Sequence, residues 1–537
     1  MQCSTKFKKI LTLIITFLCI NLNALISQNI VEKYIVYFNE KSSEKFDAYN
    51  YFTPKAIERK LLHQLPLYDW YDLPVNDEFL NQLAPFVTKL KCTSRWLNAA
   101  VIYTHLENVQ KIASLPFVSS VEPQNSAFFI GEITEINDNP IEISRQTERM
   151  GIRKFDSLGV NGKGILIAIF DVGFSGADKH PAFEHIRKSN RILKTFDFVK
   201  NIEDVYHGGS HGTSVWSCIA GKKDSIALGL ATEANFLLAR TEIISKEILA
   251  EEENWVMAAE WAHKNGADII NSSLGYTHAR YFPENMNGKT ALISRGASIA
   301  AKKGILVINA AGNDGNKVWE TIAAPADADS VLTVGGVKPC CDYHIDFSSF
   351  GPTSDLRLKP NVAAQGLVYC AKENGYGNIN GTSFSSPLVA SFAACIWQQN
   401  KSLNNMEIFK LVEKSGNLYP YYDYAHGYGI PNSTNYFNGI NTTPTFDFIK
   451  PDVSNLQFYN PEEIFYKVTI NDAAYIQDEF SGRQLLYYQI INTDDKIENY
   501  FVLNVGQQEI ELIPMSKAIM GSKIRISYKN YFKEFKF

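Results

Sequence analysis

Cysteine is scarce, with eight in 537 residues. Cys3 and Cys19 fall at the extreme N-terminus, which leaves Cys92, Cys218, Cys340, Cys341, Cys370 and Cys395. So few in so long a chain exclude a disulfide scaffold, and no Cys/His cluster has the spacing of a zinc site. An excess of one charge is lacking too. The chain carries 52 Lys and Arg against 57 Asp and Glu, a formal net charge of −5, without a long run of either sign. That excludes nucleic acid as the main partner and a polybasic membrane anchor. After the N-terminus no apolar run is long enough to span a bilayer. There is no internal repeat and no low-complexity segment, and 45% hydrophobic with 20% charged residues is an ordinary globular composition.

The length exceeds what one core fills and points to three units of usual domain size. Lys6, Lys8 and Lys9 precede an apolar run from Ile10 to Ile20 and a mixed polar and small segment to Gln28. This predicts a secretory signal peptide over residues 1–28, hence a secreted, cell-surface or periplasmic protein. A membrane anchor would need a longer apolar run. Cys19, in Thr-Phe-Leu-Cys, lacks the small residues expected before a lipid-modified cysteine.

Residues 29–135 read as a small α/β unit. Strands are expected over Lys33 to Phe38, Trp96 to Tyr103 and Val118 to Pro123, with a helix from His105 to Leu115 whose Leu106, Val109, Ile112 and Ala113 share a face. Gly131 to Pro140 is polar and irregular, a linker where cleavage would separate the first unit from the rest. Residues 141–440 alternate buried runs with helical patterns. Gly164 to Phe170, Asn235 to Ala239, Asp268 to Asn271, Ile305 to Ala310 and Val331 to Val334 predict buried strands, and Glu251 to Asn265 a helix with Trp255, Ala258, Ala259 and Ala262 inward. That alternation means an α/β domain, a mainly parallel sheet with helices on both sides, whose sites gather at the carboxyl ends of strands. In residues 441–537 the pattern changes to short β-like runs, Phe465 to Ile470, Leu485 to Ile491, Tyr500 to Val505 and Ile524 to Tyr528, a small all-β domain. Cys218 and Cys395 read as packed thiols in buried helices, and Cys340 or Cys341 as a candidate to pair with Cys370 across two loops.

The stretch Gly381-Thr382-Ser383-Phe384-Ser385-Ser386-Pro387 runs into the apolar segment Leu388 to Trp397. Ser383 stands where a buried helix begins, among unpaired N–H groups that stabilise a developing oxyanion. Pro387 is expected within the first turn, where its missing N–H leaves no helical bond unmade. An ordinary core helix with a serine cap would give the same local pattern.

Three further patterns complete a chemical set. Asp171 ends the strand-like Ala168-Ile169-Phe170-Asp171-Val172-Gly173, His211 opens His211-Gly212-Thr213-Ser214-Val215, and Asn313 sits in Ala310-Ala311-Gly312-Asn313-Asp314-Gly315. Each alone has a bland reading as a cap, a surface histidine or a turn. Acyl transfer from an amide needs a nucleophile, a base, a carboxylate that fixes the base, and donors for the oxyanion. Ser383, His211, Asp171 and Asn313 match those needs one to one.

With these motifs the chain resembles a subtilisin-like serine protease. The order Asp, His, Ser is the one known for subtilisin itself. The likeness runs from about Gln146 to Asn432 and includes Ser272-Ser273-Leu274-Gly275, Phe347 to Thr353 and Gly427 to Asn432. It implies a three-layer α/β sandwich and a serine endopeptidase acting on polypeptides. Asp171, His211 and Ser383 would be its triad, and Asn313 would join the Ser383 N–H in the oxyanion hole. In subtilisin the loss of that asparagine costs about 2.7–4 kcal/mol, and a similar order is implied here. Ser273, Leu274, Gly275, Ala310 and Gly312 would line the substrate cleft. The first unit resembles the family's propeptide, an intramolecular inhibitor, through Asp72 to Val75 and a strand Ser94 to Asn98. In Lys359 to Gly366, Asn361 and Gln365 replace the usual Asp and Pro. No cofactor is implied. Relatives often hold structural calcium, for which the sequence locates no site. The last unit weakly resembles the β-sandwich sorting domains of type IX secretion, so secretion machinery is one expected partner and a plain accessory β-domain the other reading. A catalytically silent binding protein and a peptide-bond-forming relative are the remaining alternatives.

Overall fold

The β-branched and aromatic runs become strands and the runs with helical spacing become helices, in a computed structural model that describes residues 31–124, 144–242, 252–277, 281–452, 454, 460–475 and 484–537. The expected signal segment and the linker with its cleavage region lie outside the described residues. The chain divides into two compact units, residues 1–53 with 66–127, and residues 54–65 with 128–537.

The first unit holds an antiparallel four-stranded sheet of β1 (Val31–Phe38), β2 (Lys89–Ser94), β3 (Ala99–His105) and β4 (Val118–Pro123), in the order β2-β3-β1-β4. Helix α1 (Leu106–Ala113) turns Ile112 into a core with Val36, Ala100 and Ile102. The expected strand over Trp96 to Asn98 is instead the turn between β2 and β3. Asn98 takes a left-handed φ of 49°, its side chain donates to Phe38 O at 2.9 Å, and Lys41 Nζ donates to Arg95 O at 2.5 Å. At the turn Ser94 Oγ accepts from Leu97 N at 3.1 Å, a local side chain–backbone bond that competes with strand pairing.

In the second unit seven strands form one sheet, parallel at every pairing. They are β5 (Leu166–Asp171), β6 (Ile192–Asp197), β7 (Asn235–Arg240), β8 (Ile269–Ser272), β9 (Leu306–Ala310), β10 (Val331–Val337) and β11 (Val362–Gln365), in the spatial order β11-β10-β9-β8-β5-β7-β6. Every residue of β5 is buried, as a sheet covered on both faces requires. Side chains alternate across the sheet. Ile167, Ile169, Leu306 and Ile308 join the core shared with α2 (His211–Ala220), while Phe170 points the other way and meets Trp255 of α3 (Glu252–Lys264) at 5.4 Å. Helix α4 (Leu292–Lys302) packs beside α3, and α5 (Thr382–Gln399) beside α2. This is the three-layer α/β sandwich. The sheet order reverses at β5, so the carboxyl end of β5, where Asp171 stands, lies at the switch point where α/β sheets build their sites.

The described residues between 446 and 536 form two antiparallel sheets, of three and four strands, over one core that includes Phe446, Val468, Leu486, Tyr488 and Ile526. Tyr488 Oη crosses that core to donate to Leu512 O at 2.9 Å. Among the described residues no helix is long and apolar enough to cross a membrane.

Candidate active site

The carboxyl end of β5 delivers Asp171, fully buried, with Oδ1 accepting from Val172 N at 2.8 Å. His211 opens α2 opposite it, and Nδ1 lies 2.8 Å from Oδ1 and 3.0 Å from Oδ2 of Asp171. The approach is close because position 212 is glycine. A Cβ there would stand 2.5 Å from Gly173 O and 3.0 Å from Asp171 Cβ. A carboxylate at Nδ1 holds the ring in the tautomer that leaves Nε2 as an acceptor. Burial pulls the His211 pKa down, but the charge of Asp171 and its hydrogen bond outweigh that and raise it above the ordinary histidine value.

Ser383 is the second residue of α5. Gly381, at φ 141°, sets the turn into the helix, and Phe384 lays its ring 5.3 Å from that of His211. The Ser383 hydroxyl donates to Ser273 O at 3.1 Å, and among the described residues no hydrogen bond joins it to His211. The Ser273 hydroxyl in turn donates to Ser383 O at 2.8 Å.

That second bond corrects the expectation for Pro387. The helix begins at Thr382, so Pro387 lies in its interior and not in the first turn. Its missing N–H would have served the carbonyl four residues back, which is Ser383 O. Ser273 Oγ supplies the donor that the proline cannot.

Asn313 follows β9 by three residues. Its Oδ1 accepts from Thr382 N at 2.9 Å and lies 2.9 Å from Thr382 Oγ1. With Oδ1 so engaged, Nδ2 is the amide's remaining donor, 3.6 Å from where a Cβ on Gly381 would be. The Gly312 N–H donates to Thr382 Oγ1 at 3.3 Å. One hydroxyl therefore ties the turn after β9 to the start of α5.

Of the expected cleft residues, Ser273 is buried against Ser383, while Leu274 and Gly275 are half-buried in the segment that follows β8. Ala310 is the buried last residue of β9, and Gly312 buttresses Thr382. Three positioning residues were missed by sequence reasoning. Thr382 fixes the Asn313 amide. Asn309 Nδ2 donates to Leu274 O at 3.0 Å and to Ala310 O at 2.8 Å, joining the two segments. Asn271 Nδ2 lies 3.2 Å from Ser273 Oγ, and its Oδ1 accepts from Ser386 Oγ at 2.8 Å. A polar residue inside an apolar strand, as Asn271 and Asn309 are, was the available signal.

The pairing of Cys340 or Cys341 with Cys370 is not formed. Cys370 is buried, with Sγ directed to Gly377 O at 3.6 Å, and Cys340 Sγ meets that of its neighbour Cys341. Among the described residues no group of His, Cys, Asp and Glu could hold a metal ion.

An Asp–His pair at a sheet switch point, a serine at a helix N-terminus and an asparagine amide beside it define the serine hydrolase class. The chain belongs to the subtilase family: residues 162–429 match that family, and residues 33–137 match the peptidase S8 propeptide domain of Bacteroidota. It is similar to alkaline elastase YaB of Bacillus sp. (strain YaB), with 27% identity over 296 residues, covering 54% of this chain and 69% of the relative. Subtilisin NAT of Bacillus subtilis subsp. natto is 27% identical over 348 residues, covering 64% and 82%. Among solved structures, a cold adapted subtilisin-like serine proteinase aligns at 24% identity and a TM-score of 0.41, covering 51% of this chain and 88% of that one. The protein is a serine-type endopeptidase, a hydrolase, that carries the family's propeptide domain.

Proposed function

We propose that Ser383 is the nucleophile of a secreted, self-processing endopeptidase, with His211 as its base, Asp171 holding that base, and Asn313 with the Ser383 N–H as the oxyanion donors. The observation that carries this reading is the His211–Asp171 contact of 2.8 Å beside a serine at a helix N-terminus. A peptide adds its backbone along Ser273 to Gly275 and brings its carbonyl carbon over Ser383. The hydroxyl turns from Ser273 O to His211 Nε2, gives up its proton and attacks. Negative charge developing on the carbonyl oxygen is met by Asn313 Nδ2 and the Ser383 N–H, both held in place before reaction. His211 then protonates the leaving amine, and water repeats the cycle on the acyl-enzyme. Leu274, Ala310 and Gly312 form cleft walls.

On this reading residues 1–28 direct export, residues 29–135 inhibit until removed, residues 141–440 catalyse, and residues 441–537 are accessory or address the chain to secretion machinery. The accessory role has a specific support. Gln489 Nε2 of the β-sandwich donates to Tyr422 O at 2.8 Å, and Tyr487 packs with Leu418 and Tyr421 in one buried cluster.

The test is Ser383→Ala. Peptide hydrolysis should fall about 10⁶-fold, the order known for the nucleophile of subtilisin, and the precursor should keep its first unit. A variant that still cleaves peptides or still processes itself would refute the assignment.

A further inference from the structure

Cys340 and Cys341 occupy a tight turn just beyond β10. In a strand, successive side chains point to opposite faces. Here the turn folds both to one side, and their Sγ atoms lie 2.7 Å apart, well inside the contact distance of two unbonded sulphurs. Contacts other than the sulphurs hold the turn. Lys338 N donates to Tyr343 O at 2.7 Å, Asp342 N donates to Lys338 O at 3.1 Å, and Asp342 sits at φ 57°. Arg149 grips the Asp342 carboxylate through Nε at 3.0 Å and also through Nη2. The Arg149 carbonyl accepts from Asn432 Nδ2 at 2.7 Å.

Cys340 is exposed and Cys341 half-buried, on the wall of a cavity of about 490 Å³ that Leu485 and Tyr487 of the β-sandwich help to line. A small reagent can therefore reach them. Cys218, Cys370 and Cys395 are of another kind. All three are buried, and burial raises their thiol pKa values, to about 12 for Cys370, so they are chemically silent.

We propose that Cys340 and Cys341 form a reversible vicinal disulfide, closed by exchange with a low-molecular-weight disulfide of the glutathione type. One cysteine loses its proton and attacks the external disulfide. A mixed disulfide forms, and the departing thiolate takes up the proton. The second cysteine, likewise deprotonated, attacks the cysteine sulphur of that mixed disulfide and expels a second external thiol. Two cysteine thiols become one disulfide, and one external disulfide becomes two thiols. Adjacent Cα atoms stand about 3.8 Å apart, short of the roughly 4.4–6.8 Å that disulfides favour. The bridge is therefore strained and readily reduced, a switchable link and not a structural one. Its closure stiffens the turn that presents Asp342 to Arg149, the joint between the turn and the segment at Asn432.

The full chain carrying Ser383→Ala is treated with glutathione disulfide, alkylated with iodoacetamide, and mapped without reduction by mass spectrometry. The expected peptide contains both cysteines, has lost two hydrogens and carries no label; dithiothreitol restores labelling. Phenylarsine oxide, which bridges neighbouring thiols, should bind the reduced chain, and Cys341→Ser should abolish that binding. Alkylation of both cysteines after oxidation, stable glutathione adducts on them, or a link from either to Cys370 or to a second chain would each overturn the proposal.

Discussion

Asn361 stands where the family usually has aspartate, and its neighbours explain the amide. Its Oδ1 accepts from Lys359 Nζ at 3.1 Å and from Thr333 N at 2.9 Å, while its Nδ2 donates to Glu413 Oε1 at 2.9 Å. An aspartate would lose the donor and set two carboxyl groups together. The placement of Asp171, His211, Asn313 and Ser383 at or next to element boundaries was legible in sequence because each stands in a glycine-rich setting. The contacts of Asn271, Asn309 and Thr382 were not, because they join residues far apart in the chain. The raised pKa of His211 has a kinetic consequence. The imidazole must be neutral to act as a base, and a raised pKa keeps it protonated to higher pH. On the acid side kcat/KM should therefore fall as pH drops through a value above 6.5. Asp171→Asn should lower activity by about 10⁴-fold and move that limb to lower pH, since the charge that raises the pKa is gone. A pH–rate profile of the two proteins checks this, and an unmoved limb would assign the titration to another group.

At the scale of elements, most strands were legible from their apolar runs. The edge strands β6 and β11 were not, since in β6 the adjacent Leu193 and Lys194 are both exposed, so no alternation marks the strand, and β11 is only four residues long. Beside β11, Lys359 is buried, and its Nζ donates to Thr333 Oγ1 at 3.0 Å and to Val331 O, bracing the edge of the sheet. Desolvation lowers its pKa from 10.5 to about 7. Between those values the folded chain holds the amine neutral while the unfolded chain binds a proton, so stability should rise as pH increases from about 7 towards 10.5. The swing is on the order of a few kcal/mol. Urea unfolding of the Ser383→Ala chain across that range should show the rise, and Lys359→Met should flatten it. The same slope in both proteins would show that Lys359 is not its source.

For the whole molecule, length and changing patterns anticipated a small α/β unit, a mainly parallel α/β domain and a small all-β domain. They did not anticipate that residues 54–65, within the propeptide-like stretch, group with the larger unit. There Lys55 Nζ pairs with Asp268 Oδ2 at 3.1 Å, and buried Arg59 Nη2 lies 3.1 Å from His263 Nδ1. Helical spacing in that segment does not reveal which partner its polar face meets. The central claim is that the Asp171–His211 pair activates Ser383 within an exported precursor. It is tested most directly by incubating the purified full chain with a fluorophosphonate probe beside Ser383→Ala and locating the adduct by mass spectrometry. The account predicts an adduct on Ser383, with the first unit removed only in the unmutated chain. A precursor that stays intact and unlabelled in both samples would contradict it.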